Sequence, residues 1–407
     1  MNDRPRVAFF ADSYLEVNGA AMTCRRLVDF AQRKGFYLLC VHAGPQTDLS
    51  QNGSIADLSL GRSPISISLD DELAYDPLFQ RHASRVRREI EKFRPDIIHI
   101  TGVNDVSIIG AYLAWKCKIP LIGSWHTNLH EFAARRIKKI LRFLPTRLTD
   151  RIAAFAENAI LSGATLYYQM PQINLAPNRE LVDLLERRTR RPGRLMARGV
   201  DLEKFSPDHR DLDDGVLRFG YAGRLRPEKN VRSLVDIERA LIAAGKSDFK
   251  FLIVGDGSER NFLEKNLSQA EFTGMISGSE LSTAYANMDV FIFPSETETF
   301  GNVTLEANAS GVPAIVSDKG ASKFLIVQGE NGFVATNADE FANFVIQLVE
   351  DRPMLDRMKK AARKSALGRS WDAVFESVYD AYDECIGLVG DKRAEDNPGI
   401  NGERPPA

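Results

Sequence analysis

Cysteine is scarce and scattered: Cys24, Cys40, Cys117 and Cys385 lie far apart in 407 residues, with no CxxC pair and no Cys/His cluster. That spacing excludes a zinc ribbon or a disulfide scaffold and fits a reducing, cytoplasmic setting. Long apolar runs are missing as well. None approaches the roughly 18 residues of a membrane-crossing helix, and the opening "MNDRPRVAFFADSY" holds an apolar run shorter than the core of a secretory leader. The expectation is a protein neither exported by that route nor integral to a membrane. Net charge is absent too: the formal balance is -2 with 27% charged and 44% hydrophobic residues. No molecule-wide field favours nucleic acid, so any site for an anion must be local.

Short Val- and Ile-rich runs alternate with stretches of helical period, the signature of parallel sheets covered on both faces. In the first half "RVAFF", "YLLCV", "DIIHI" and "LIGSW" read as strands; in the second half "LRFGYAG", "KFLIVGDG", "AEFTG", "DVFIFPS" and "PAIVS" do. Between them the pattern breaks near residue 200, in a stretch crowded with Gly, Pro and charge. The fold expected is α/β, with two Rossmann-like doubly wound parallel-sheet domains facing a cleft. The boundaries read as 1–200, a linker at 201–214, a second domain at 215–369, a helix at 370–389 returning to the first domain, and a disordered tail at 390–407.

The residues that carry chemistry cluster after strands. In "YAGRLRPEKN" (221–230) Gly223 allows a tight turn after a strand, and Arg224 and Lys229 precede a helix expected to begin near Asn230. Two cations at a helix start suit a diphosphate; a solvated basic turn is the alternative. In "FPSETETFGNVTLEANASG" (293–311) Gly301 permits close backbone approach to a ligand. Asn302 and Val303 then open a helix, with Glu306 expected in about its first turn. Two carboxylates, Glu298 and Glu306, beside an anion-binding helix start need hydroxyl groups to accept from, which a ribose and a sugar supply. Otherwise they are a helix-start acid and a solvated loop acid.

"FLIVGDGSER" (251–260) mimics a dinucleotide fingerprint, but Arg260 stands where the third glycine should be, so it reads as an ordinary βα turn. In the first half, Gly19 follows Asn18 ahead of a helix and could face a phosphate. His126 follows the strand "LIGSW", at the expected cleft, whereas His99 within "DIIHI" reads as core. In "HEFAARRIKKILRFLPTRL" (130–148) Arg135, Lys138, Lys139 and Arg142 share one helical face. A basic amphipathic helix suits an anionic membrane surface, or packs on its own domain with its cations in water.

Taken together these motifs resemble the retaining, GT-B-fold glycosyltransferases of family 4, which include bacterial lipid mannosyltransferases and glycolipid synthases. "GYAGRLRPEKN", "FLIVGDGSER", "FIFPSETETFGNVTLEANASGVPAIVS" and "NGFVA" occur in the family's order, with "RGVDLEKFSP", "RPDIIHI" and "SWHTN" before them. The resemblance covers the chain to about residue 390. It implies catalytic roles for Arg224 and Lys229 on the donor diphosphate, Glu298 near the donor sugar and His126 near its reacting face. It implies Glu306 on the nucleotide ribose, Gly223 and the backbone of Phe300, Gly301, Asn302 and Val303 beneath the sugar and diphosphate, and Gly19 at the phosphate. The implied reaction moves a hexose from a nucleoside diphosphate sugar to an acceptor hydroxyl with retention. GDP-mannose is favoured over a UDP-hexose as donor, with a membrane lipid as one acceptor and the inner membrane face as one location. No metal or other cofactor, and no nucleic acid, is expected. One departure stands out: where the family has "GGxxE", this chain has "KGASKF", with Ala321 at the second glycine and Phe324 at the acid. A sugar-nucleotide epimerase of the same architecture, or a degenerate sugar-nucleotide-binding module, are the competing expectations.

Overall fold

The computed structural model describes residues 4–16, 19–70, 73–125, 146–298 and 300–396. The chain divides into two compact units, Met1–Ala197 with Phe375–Ala407, and Arg198–Val374.

The first unit is built on an eight-stranded sheet whose centre is β1 (Val7–Ala11), every residue of it buried. An unbroken apolar strand is what a position covered on both faces requires. Parallel partners flank it, β2 (Leu38–Gly44) on one side and, with Val7 level with Ile97, β7 (Ile97–Ile100) on the other. Beyond β2 the chain adds a β-hairpin, β3 (Asp48–Asn52) antiparallel to β4 (Ile55–Gly61), then a separate two-stranded sheet of β5 (Ile67–Asp70) and β6 (Leu73–Tyr75). With β8 (Leu121–Ser124), β9 (Ile173–Ala176) and β10 (Gly193–Leu195) the order is β10-β9-β8-β7-β1-β2-β4-β3. The helices are α1 (Gly19–Lys34), α2 (Ala83–Phe93), α3 (Asp105–Cys117), α4 (Thr146–Tyr167) and α5 (Arg179–Thr189).

The second unit has a six-stranded, wholly parallel sheet in the order β13-β12-β11-β14-β15-β16. Its strands are β11 (Leu217–Ala222), β12 (Phe249–Val254), β13 (Ala270–Gly274), β14 (Val290–Phe293), β15 (Ala314–Ser317) and β16 (Gly332–Ala335). The sheet is covered by α6 (Ser233–Ala243), α7 (Arg260–Asn266), α8 (Gly278–Asn287), α9 (Asn302–Ala309), α10 (Ala338–Glu350) and α11 (Arg352–Leu367). Strand order reverses between β11 and β14, the switch point where open α/β sheets hold ligands.

Residues 201–214, expected to be a linker, are fastened into this second unit. The Arg363 guanidinium donates to the carbonyls of Phe205 at 2.8 Å and Ala309 at 2.6 Å. The amides of Asp211 and Leu212 both donate to Asn287 Oδ1. The last helix, α12 (Trp371–Asp396), runs past residue 389 into the stretch expected to be tail. It packs on the first unit through Phe375 and Tyr379 against Phe30. Buried His99 bridges Tyr382 of α12, 2.7 Å from Nδ1, and Ser124 of β8, 2.9 Å from Nε2. Burial pushes its imidazole down to about 3, so it is a neutral core group, as its place in "DIIHI" suggests.

Candidate active site

The second unit gathers its chemistry at the carboxyl ends of β11 and β14. Tyr221, the buried penultimate residue of β11, sends its hydroxyl to the carbonyl of Arg224 at 3.0 Å and so fixes the turn that carries the two cations. Leu225 is fully buried and anchors the same turn, while the Arg224 side chain is exposed and Lys229 half-buried. The turn leans on the one after β12. The amides of Gly223 and Leu225 donate to the carbonyls of Val254 and Asp256, each at 2.9 Å, and the Glu259 amide returns a bond to the Leu225 carbonyl. A Cβ on Gly255 would stand 2.0 Å from the Gly223 carbonyl oxygen, and one on Gly257 2.3 Å from that of Leu225. The glycines of "FLIVGDGSER" are therefore more than an ordinary turn: they let two loop backbones touch, and the cation-bearing loop rests on them.

The helix after this loop begins later than expected. Pro227–Lys229 form one 3-10 turn, Asn230 takes a left-handed φ of 52°, and α6 opens only at Ser233. The amides of Ser233, Leu234 and Val235 already donate to the carbonyls of Asn230, Val231 and Arg232. They are spent, so the positive character of this turn comes from its side chains and not from a helix end.

The second loop lies between β14 and α9. Lys229 Nζ donates to Glu298 Oε1, joining the cation loop to the acid loop, and both side chains are half-buried. Ser295 Oγ stands 3.4 Å from the same oxygen. Phe300 is buried beneath the turn, and Gly301, at φ 96°, closes it ahead of α9. Only glycine tolerates that position, because its Cβ would also meet Ser322 Oγ at 2.1 Å. The amides of Asn302 and Val303 open α9 and have no intrahelical acceptor, whereas those of Thr304 and Leu305 already bond the Gly301 carbonyl.

The unusual "KGASKF" segment supports this turn from behind. The Ala321 amide donates to the Glu298 carbonyl at 3.0 Å, and a Cβ on Gly320 would stand 2.5 Å from the Ser295 carbonyl oxygen. A backbone amide serves equally from Ala or Gly, so Ala321 leaves the support intact. Phe324 is partly exposed, with Lys323 over its ring at 5.1 Å.

Glu306 does not sit in the first turn of α9, which holds no acid; it falls in the second. There it is half-buried and accepts from the Tyr285 hydroxyl of α8 at 2.9 Å. Burial pushes its carboxyl up to about 7, against the Tyr285 hydrogen bond and the positive charge of Lys204. Tyr285 is the functional neighbour that sequence reasoning missed: in "ELSTAYANM" it looks like one more apolar helix residue. Gly19 is the first residue of α1 in the other unit, its carbonyl accepting from Thr23 Oγ1 at 2.8 Å. His126, Arg135, Lys138, Lys139 and Arg142 lie outside the described residues. Among the described residues no His, Cys, Asp and Glu side chains form a group able to hold a metal ion, and no helix is long and apolar enough to cross a membrane.

Two parallel-sheet units with paired acid and base loops at a switch point define a GT-B chain, and comparison with known proteins agrees. The family model described as Glycosyltransferase Family 4 matches residues 17–204, and Glycosyl transferases group 1 matches residues 217–351. The GDP-mannose-dependent alpha-mannosyltransferase of Corynebacterium glutamicum is 29% identical over 396 residues, spanning 94% of this chain and 90% of that protein. The alpha-monoglucosyldiacylglycerol synthase of Acholeplasma laidlawii is 23% identical over 404 residues, spanning 94% and 97%. Sucrose-phosphate synthase from Thermosynechococcus elongatus shares the fold, with a TM-score of 0.69 at 19% identity over 95% of this chain and all of that one. The chain belongs to the family-4 glycosyltransferases and is a glycosyltransferase enzyme.

Proposed function

We propose that this glycosyltransferase is a retaining, metal-independent mannosyltransferase that uses GDP-mannose. The observation that carries the proposal is the contact of Lys229 with Glu298 at the β11 and β14 strand ends, a cation and an acid side by side at the switch point where open α/β sheets hold ligands. The relative named for GDP-mannose spans nearly the whole chain and supports that donor.

In this reading Lys229 leaves Glu298 when donor arrives and, with Arg224, takes the charge that builds on the leaving diphosphate. The amides of Asn302 and Val303 add dipoles to that anion. Glu298 accepts from hydroxyls of the mannose, and Glu306 from those of the ribose. His126 is assigned to the sugar's reacting face and Gly19 to the phosphate on the family resemblance alone. The bond from the anomeric carbon to the diphosphate oxygen breaks, and the acceptor oxygen bonds the same face. The acceptor proton passes to the leaving phosphate oxygen. The acceptor we assign is a hydroxyl of a membrane lipid, reached at the inner membrane face through Arg135, Lys138, Lys139 and Arg142. The relative named as a diacylglycerol glycolipid synthase supports that class.

The test is a thermal-shift panel with GDP, UDP, ADP and NAD, with and without EDTA, where a ligand at 100 times its Kd stabilises by about 2.7 kcal/mol. A shift with GDP that survives EDTA, together with mannose transfer to extracted lipids, supports the proposal. A shift with UDP alone reassigns the donor, a shift with GDP but no transfer favours the degenerate binding module, and no shift from folded protein contradicts the proposal.

A further inference from the structure

Glu306 is held in a way that the reaction alone does not explain. Its Oε2 accepts from Tyr285, whose ring is almost fully buried and fixed on two sides. Phe205 meets that ring edge-on at 5.3 Å and 89°, and Phe291 of β14 lies 5.9 Å away. Phe205 is itself buried, and its backbone is held by Arg363. A phenol boxed in this way cannot follow a moving carboxylate, so it dictates the rotamer of Glu306 and leaves Oε1 as the oxygen with no tyrosine on it. A neutral donor also steadies the carboxylate without cancelling its charge, as a lysine in the same place would.

We infer that Tyr285 is a positioning residue for donor binding: it orients Glu306 so that the carboxylate accepts from the ribose hydroxyls of the nucleoside diphosphate. This rests on the assignment of Glu306 to the ribose. Tyr285 touches no substrate and acts only through Glu306, so its contribution exists only when the ligand carries ribose hydroxyls.

The test measures Kd by calorimetry for GDP and UDP, each as the ribonucleotide and the 2′,3′-dideoxyribonucleotide, on wild type, Tyr285→Phe and Glu306→Gln. Tyr285→Phe keeps the ring between Phe205 and Phe291 and removes only the hydroxyl. It is expected to weaken the ribonucleotide about tenfold, the scale of one hydrogen bond to a charged group, and to leave the dideoxy form unchanged. The pH at which ribonucleotide affinity rises should also move upward, because the carboxylate has lost a donor. Phe205→Leu, which loosens the ring without touching the hydroxyl, should show a smaller loss with the same ribose dependence, and it serves if Tyr285→Phe fails to fold. Equal losses for ribo and dideoxy ligands would make Tyr285 merely structural and overturn the inference. The same holds if Glu306→Gln abolishes ribose discrimination while Tyr285→Phe preserves it. A wild type blind to the ribose hydroxyls, or binding neither nucleotide, would instead overturn the assignment of Glu306 itself, and the inference with it.

Discussion

Glu298 and Glu306 sit on either side of one glycine turn, yet the protein treats them in opposite ways. Glu298 is on a half-buried loop and is matched by a full positive charge on Lys229. Glu306 is inside a helix, hydrogen-bonded by a neutral hydroxyl and not by a cation, and burial pushes it up to about 7 against that bond and the charge of Lys204. An acid held by a cation is occupied, and a ligand must exchange partners to use it. An acid held by a phenol is open to new donors, but its charge is conditional on pH. Under the proposed donor assignment the contrast suits two different tasks, one at the sugar where the ion pair can be traded for a bound diphosphate, and one at the ribose where nothing reacts.

The largest effect should come from removing the traded cation. Lys229→Ala should lower transfer by about 100-fold or more, the scale of losing one stabilising charge on a developing anion, while thermal unfolding shows an intact fold. Near-normal turnover in that variant would detach Lys229 from the diphosphate. Next is the platform beneath it: Gly257→Ala drives a methyl into the Leu225 carbonyl. Overpacking of that kind costs about 1–3 kcal/mol, so the melting temperature should fall along with GDP affinity. An unchanged melting curve would show that the loops can part without cost.

Glu298→Gln sharpens the comparison because its two readouts should move apart. Mannose transfer falls, but the affinity for GDP, which carries no sugar, rises about threefold as Lys229 is released from its charged partner. A fall in GDP affinity would mean that the ion pair does not compete with the ligand. For Glu306 the prediction is one of pH. Its raised folded value means that the group favours the folded state most below the ordinary carboxylate range, and that this contribution fades as pH rises through about 7. Ribose binding should do the reverse, since the ionised form accepts best. GDP affinity should therefore climb from pH 6 to 8 in wild type and stay flat in Glu306→Gln, and a flat wild-type profile would count against it. The last prediction belongs to the first unit. His99 is held down to about 3, so its contribution is complete above the ordinary histidine value near 6.5 and is lost as pH falls from there toward 3. Urea titrations of wild type and His99→Gln should converge on acidification; parallel curves would remove His99 as the source.

Much of the second unit was legible because most of its strands are largely apolar runs that end in a glycine or a polar turn. Five of its strands were read directly, and β16 was not, since "GFVA" is too short to show a period. The first unit hid more. The wholly exposed β3 and the small sheet of β5 and β6 carry little apolar signal, and β9 and β10 are short. At the site, Glu298 and Lys229 were found by residue type, and the structure brings them into contact. The helix start at Asn302 was read correctly, but Glu306 is its fifth residue and so falls just past the first turn. Tyr285 was invisible, because its hydroxyl points from one helix to another and no local pattern encodes that. The glycines at 255 and 257 were judged against a nucleotide fingerprint, when their work is contact with a neighbouring loop.

Retaining transfer from GDP-mannose can be checked by proton NMR of donor turnover with water as the slow acceptor. GDP-mannose is α-linked, so α-mannose is expected as the first sugar released, before mutarotation mixes the anomers, at a rate unaffected by EDTA. β-Mannose appearing first would contradict it.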